Sequence, residues 1–243
     1  APVAEKISDG WRLSGNIEYV INGGKSGFYC VLCSSGADQS HLSMVMVKDA
    51  LDGVGFGGFD DKLGLRMTPT ARMTLDNVAL APEDLIGKEH QGEKQAKRIL
   101  AESWVLIASL ALGTAQGALD RSLDYVKQRE QFGKKIARFQ VTQHKLAEMA
   151  SQIEQIRFFS YAAAKSNDSR KPQVKLAAMA KLGATRTAVA VASESVQLLG
   201  GYGYMTEYDV ERFYRDAKTL ELIGGNAVHL KNVIANDVIG RIR

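Results

Sequence analysis

Two stretches of this chain place polar and glycine residues where they could grip an anion. The first is Arg129-Glu130-Gln131-Phe132-Gly133-Lys134, followed by Phe139-Gln140. Its guanidinium and ammonium form a fork of donors with an aromatic plate beside it, a set suited to a diphosphate and an adenine ring. A plainer reading is also open there: the glycine stops a helix, and Arg with Lys near a helix C-terminus suits the dipole. The second stretch is Gln197-Leu198-Leu199-Gly200-Gly201-Tyr202-Gly203-Tyr204. Glycines at a helix end let backbone N–H groups reach an anion without side-chain obstruction, although Gly-Gly also ends many helices. Cys30 and Cys33 have C-x-x-C spacing but sit in the strand-like run 28–33. Residues three apart on a strand face opposite sides, so the spacing reads as two reduced strand cysteines rather than a redox or zinc pair. There is no Gly-x-Gly-x-x-Gly after a strand, no P-loop, no Gly-x-Ser-x-Gly elbow and no metal-spaced histidine cluster. His41, His90, His144 and His229 are scattered and read as surface or hydrogen-bonded residues.

The elements that must position these residues divide the chain into two unlike parts. Residues 1 to about 86 read as short strands between turn signals: Ser14-Gly15-Asn16, Asn22-Gly23-Gly24, Ser34-Ser35-Gly36-Ala37-Asp38, Asp52-Gly53 and Gly57-Gly58. Leu42–Val47 is one β-rich run, and Ala71–Leu75 alternates as a half-exposed strand should. An antiparallel sheet is predicted, with an exit turn at Pro82. Five or so such strands would leave one apolar face bare, from which we expect a further N-terminal part, cut away or supplied by another polypeptide. From about 92 onward, long helices are predicted: 94–127, 140–165 and 173–199, then shorter ones from about Val210 and Ala227. Leu146, Met149, Ile153 and Ile156 step along one face, Pro172 sits at a tolerated first turn, and 200–203 stops the third helix. The predicted fold class is α+β: a partial antiparallel β-domain over 1–88, then an antiparallel four-helix bundle over 89–243.

Composition sets wide bounds. The 31 Lys and Arg against 27 Asp and Glu give a net charge of +4, too small and too evenly spread to argue for nucleic acid. No apolar run reaches the ~18 residues of a membrane span. The opening Ala-Pro-Val-Ala-Glu-Lys lacks the apolar core of a signal peptide.

Taken together and in this order, the motifs resemble the acyl-CoA dehydrogenase family along essentially the whole chain. Lys62–Thr68 is similar to the family's middle β-domain, and Leu112–Ala118 to the first helix of its C-terminal bundle. Arg129–Gln140, Gln197–Tyr204 and Arg212–Lys218 are characteristic in combination. The resemblance implies FAD bound between subunits of an oligomer, usually a tetramer. It puts Arg129 on the FAD diphosphate, with Gln131 and Phe132 beside it and Gln140 near the adenosine end. It puts Gln197, Leu198, Leu199, Gly200 and Gly201 on the same cofactor from a neighbouring subunit, and Tyr19 and Ile21 over the flavin. It further implies an acyl-CoA substrate, α,β-dehydrogenation with hydride transfer to flavin N5, an electron-transfer flavoprotein as acceptor, and a cytoplasmic or mitochondrial-matrix setting.

The family pattern breaks at the proton acceptor. The usual base position falls on Gly224, which cannot accept a proton, and the alternative position on the first bundle helix falls on Ser103. Glu221 and Glu102 are the nearest carboxylates, and Glu102 points about 100° away from Ser103 on a helix. Ala101 and Trp104 stand where the family holds CoA with Asp and Arg, and Asn226-Ala227-Val228 replaces a second FAD contact. Three readings follow: a working dehydrogenase subunit, a non-catalytic subunit giving an FAD half-site to a sister chain, and a same-fold flavin oxidase or monooxygenase. A helical module that only docks a partner is a fourth, and it leaves both cofactor-type motifs unexplained.

Overall fold

The computed structural model describes residues 1–36, 41–169 and 173–240. The expected turn at Ala37-Asp38 and the helix start at Pro172 lie outside the described residues. Contacts divide the chain into two compact units, 1–99 and 100–243.

The first unit is built on a six-stranded sheet: β1 (Val3–Ile7), β2 (Gly10–Ile21), β3 (Phe28–Ser35), β4 (His41–Lys48), β5 (Val54–Phe59) and β6 (Thr70–Leu80). Their order across the sheet is β4-β3-β1-β2-β6-β5. All neighbours are antiparallel except β1 and β3, which meet in parallel at Val3 and Ser34. The purely antiparallel expectation is corrected at that one pairing. β3 shows why the strand forms: Tyr29, Val31, Cys33 and Ser35 are buried while Phe28 and Cys30 are exposed, a period of two. Cys30 and Cys33 therefore face opposite sides. Burial pushes the Cys33 thiol up to about 11, and its Sγ lies 3.4 Å from the Ser43 carbonyl.

The expected bare apolar face is also corrected. Trp11, Leu13, Val31, Val45, Val47 and Met73 belong to one buried cluster, against which Ile17, Val20, Leu51 and Phe56 pack. Register shifts at Leu13/Gly15, Ile17/Val20 and Phe56/Phe59 mark bulges, which bend strands locally. Two of the four histidines are not scattered: His41 and His90 stack with ring centroids 4.4 Å apart. A 3₁₀ turn at Pro82–Asp84 ends the sheet region.

The second unit is helical. α1 (Gly92–Gln128) starts in the first unit and supplies 100–128 to the second. A small hairpin, β7 (Glu130–Gln131) and β8 (Lys134–Lys135), leads to α2 (Gln140–Asn167). Then come α3 (Val174–Leu199), the single turn α4 (Gly201–Tyr204), α5 (Val210–Leu220) and α6 (Ala227–Ile239). α3 is the centre of the unit and packs against α2, α5 and α6. Its buried stripe of Ala177, Ala180, Ala184, Ala188 and Ala192 keeps the side chains small where neighbouring helices approach. On α2, Met149, Ile153 and Ile156 are buried as their spacing predicts. The Ser195 hydroxyl of α3 donates to the Ala118 carbonyl of α1. By length and composition one window of α1 is apolar enough to cross a membrane, although Ser109, Thr114 and Gln116 interrupt it and no unbroken apolar run of that length occurs there. Ala108, Ala111, Ala115, Ala118 and Val126 form its buried stripe, the pattern of a helix packed inside a bundle.

Candidate functional site

The two anion-type motifs meet at one end of the helical unit. α1 ends at Gln128, and Arg129 follows at once, its N–H donating to the Tyr125 carbonyl at 2.9 Å. The chain then reverses through Phe132 and Gly133, whose φ values are +53° and +74°. Two positive φ values at the centre of a two-residue loop define a type I′ hairpin turn. Gly133 is thus a turn residue and not the helix stop of the plainer reading. The Ile136 N–H donates to the Arg129 carbonyl at 2.9 Å and closes the hairpin beside the guanidinium.

The second motif ends α3. Gly200 has φ +61°, and its N–H donates to the Gln197 carbonyl at 3.1 Å. A Cβ added to Gly200 or Gly201 would meet nothing within 4 Å, so the backbone there faces open space. By contrast a Cβ on Gly203 would lie 2.4 Å from the Val196 carbonyl oxygen, so this glycine serves chain packing.

Between the motifs lies a cleft of about 460 Å³ lined by Arg129, Gln131, Gln197–Gly201 and four further residues. The resemblance divided these two motifs between subunits; here they line one cleft of one chain. Arg129 stacks its guanidinium on Tyr202, 5.5 Å from the ring centroid. Tyr202 packs in turn on Tyr208 at 5.0 Å and Tyr125 at 6.3 Å. Among the described residues, no carboxylate lies within ion-pair distance of Arg129. Burial raises the Tyr125 hydroxyl above its ordinary pKa, and the Arg129 charge opposes that shift. A stacked guanidinium without a carboxylate, an amide and open glycine backbone together suit a diphosphate.

Other residues singled out in the sequence lie off this cleft. Phe132 is 93% exposed at the hairpin tip, edge-on to Phe139. Gln140 opens α2, exposed. Tyr19 and Ile21 are exposed on β2, Tyr19 with φ +56° at the bulge. Tyr125, Ile136, Tyr202 and Met205 complete the cleft lining and were not picked out as ligands. Tyr125 carried a usable signal, since it stands one helical turn before Arg129.

The expected base position is on the loop between α5 and α6. Gly224 has φ +66°, and a Cβ there would fall 2.6 Å from Ile107 Cδ1. The Trp104 indole N–H donates to the Gly224 carbonyl at 2.5 Å. Lys181, fully buried on α3, donates to the carbonyls of Glu221 at 3.0 Å and Gly225 at 2.7 Å. Glu221 sits just past the end of α5, its carboxylate bound by Lys218 at 2.6 Å. Glu102 is exposed on α1, and Ala101 and Trp104 are buried. Asn226 is the N-cap of α6, its Oδ1 accepting from the N–H groups of Val228 and His229 at 3.1 Å each.

Comparisons with known proteins agree on one family. The family described as acyl-CoA dehydrogenase, C-terminal domain, matches residues 90–239. The human mitochondrial short-chain specific acyl-CoA dehydrogenase is 35% identical over 242 residues, covering 99% of this chain and 59% of that protein. Butyryl-CoA dehydrogenase from Megasphaera elsdenii superposes with a TM-score of 0.96 at 33% identity, over 99% of this chain and 63% of that one. A glutaryl-coenzyme A dehydrogenase solved with glutaryl-CoA gives 0.94 at 33%, over 99% and 62%. The chain spans about three-fifths of the length of the curated relatives it matches.

Proposed function

Because the chain belongs to the acyl-CoA dehydrogenase family, we propose that it forms part of an FAD-dependent acyl-CoA oxidoreductase and holds the diphosphate end of the cofactor. When bound, FAD supplies the hydride acceptor for α,β-dehydrogenation of an acyl-CoA thioester. In this reading residues 1–88 are part of the middle β-domain and 89–243 the helical domain. Arg129 neutralises the diphosphate, Tyr202 holds the guanidinium flat, and Gln197 with the open backbone at Gly200 and Gly201 completes the cradle. In the same reading Gln131 and Phe132 lie beside the diphosphate, Gln140 lies near the adenosine end, and Tyr19 with Ile21 faces the flavin. An oligomer, an electron-transfer flavoprotein as acceptor, and a cytoplasmic or mitochondrial-matrix setting go with this reading.

The observation that carries it is the guanidinium of Arg129, stacked on Tyr202 in a cleft it shares with the Gln197–Gly201 motif. The test is FAD titration of the assembled protein, followed by flavin fluorescence, against Arg129→Ala. A charge-assisted hydrogen bond contributes roughly 1.5–3 kcal/mol, so affinity should fall about 10- to 100-fold. An unchanged affinity overturns the reading.

A second reading is favoured by Gly224: the chain gives an FAD half-site to a sister chain that carries the base. Position 224 itself is glycine, and the Glu221 carboxylate on the same loop is already bound to Lys218. Bleaching of the flavin by acyl-CoA with this chain alone favours the first reading. Bleaching only when a sister chain is present favours the second.

A further inference from the structure

The loop 221–225, between α5 and α6, is held at three of its carbonyls by two buried side chains from other helices. Lys181 takes those of Glu221 and Gly225, and Trp104 takes that of Gly224. Moving the loop outward would leave a buried ammonium and a buried indole N–H without acceptors, which is unfavourable for both groups. Room for a side chain at position 224 therefore has to come from the neighbouring side chains. A Cβ there would lie 2.6 Å from Ile107 Cδ1, 3.6 Å from Trp104 Cδ1 and 3.8 Å from Trp104 Nε1. Trp104 is 2% exposed, its N–H is engaged, and its ring meets His229 edge-on at 5.8 Å. It has no room to turn. Ile107, one helical turn beyond Ser103 on α1, is the one contact able to yield.

We propose that the Ile107 side chain fills the space that a proton-accepting carboxylate at position 224 would need, and that shortening it opens that space. The proposal rests on the acyl-CoA dehydrogenase reading for its chemistry but on this geometry alone for its sterics. Glutamate at 224 in the present chain would be pressed against Ile107. With alanine at 107 it would have the volume vacated by the sec-butyl group.

Two measurements on the full chain test this. The first is a thermal-unfolding cycle of Gly224→Ala, Ile107→Ala and the double variant. The strain of a left-handed alanine is the same in both backgrounds, so any difference isolates the contact with Ile107. The Tm loss caused by Gly224→Ala should be smaller when residue 107 is alanine, because the tip of Ile107 no longer has to shift. Equal losses in both backgrounds overturn the proposal. The second compares Gly224→Glu with Gly224→Glu/Ile107→Ala in the FAD-loaded assembly, using butyryl-CoA as probe and flavin absorbance as readout. The double variant should bleach at least tenfold faster, over the wild-type rate, than the single one. Equal rates, or a double variant that holds FAD and does not bleach, overturn the proposal. If no variant, wild type included, holds FAD, the functional reading fails, and the unfolding cycle still decides the role of Ile107.

Discussion

Arg129 is oriented by an aromatic ring and not by a carboxylate, and that choice has consequences at the residue scale. A carboxylate partner would compete with a bound diphosphate for the same donors. The face of Tyr202 holds the guanidinium and leaves its N–H edge available. An exposed cation–π contact contributes roughly 0.5–1 kcal/mol. Tyr202→Leu should thus weaken FAD binding about 2- to 5-fold, while Tyr202→Phe keeps the ring and most of the affinity; flavin fluorescence titration separates them. Lys181 presents the opposite situation, a charge taken out of water. Burial lowers its pKa from 10.5 to about 8, with the Glu221 carboxylate opposing the shift. Below pH 8 the native and unfolded chains both carry the proton, and burying the charge counts against folding. Between about 8 and 10.5 the native chain has lost a proton that the unfolded chain keeps, so this group makes stability rise with pH. The neutral amine still has two N–H donors for the carbonyls of Glu221 and Gly225. Lys181→Met removes both bonds and should destabilise by roughly 1–3 kcal/mol near neutral pH. It should also abolish the rise, so that urea unfolding at pH 7.5, 8.5 and 9.5 shows the variant falling further behind wild type at each step.

At the scale of elements, the hairpin between α1 and α2 sets where Arg129 points. Its turn needs positive φ twice, and it meets that need with Phe132 at +53° and Gly133 at +74°. Glycine adopts this conformation without strain, whereas a β-carbon at either position costs about 1 kcal/mol or more. Gly133→Ala should therefore lower stability by at least about 1 kcal/mol in urea unfolding. Phe132→Gly should relieve strain in the same measurement yet weaken FAD binding, because the ring stands beside the proposed diphosphate site. The bounds of α2 and α3 were legible within two residues, α2 because its apolar positions recur at three and four residues and α3 because an Ala- and Val-rich run ends at a glycine pair; for α5 and α6 only the starts were legible. The hairpin was not. A glycine just past a helical run signals a stop equally well, and only the φ of Phe132 distinguishes a turn. The single parallel pairing of β1 with β3 was equally hidden, since alternation along a strand says nothing about its neighbour's direction. The bulges were hidden too, because the residues that make them look ordinary in sequence.

At the scale of the whole molecule, the polar residues of the cleft and Leu198 with Leu199 beside them could be read from sequence, and the rest of its apolar lining could not. Arg129 and the Gln197–Gly201 stretch announce themselves by residue type, whereas Ile136 and Met205 resemble any core residue. Ile107 and Lys181 are still less visible, because what they touch lies far along the chain at 221–225. The cleft joins the end of α1 to the end of α3, so a ligand there ties together segments that are distant in sequence. A ligand bound by the native chain and not by the unfolded one stabilises the fold by mass action, about 2.7 kcal/mol at a hundredfold excess over Kd. For a protein of this size each kcal/mol moves Tm by roughly 2–4 °C. FAD at that excess should raise the Tm of the assembled protein by roughly 5–10 °C, with a dependence on FAD concentration that follows the measured Kd. Arg129→Ala should remove about half to four-fifths of the rise at the same FAD concentration while leaving the Tm without FAD nearly unchanged, because the side chain is exposed and its aromatic contact contributes little. Tm values measured over a series of FAD concentrations decide it: a variant that keeps the full rise would mean that the flavin nucleotide is held by some other part of the molecule.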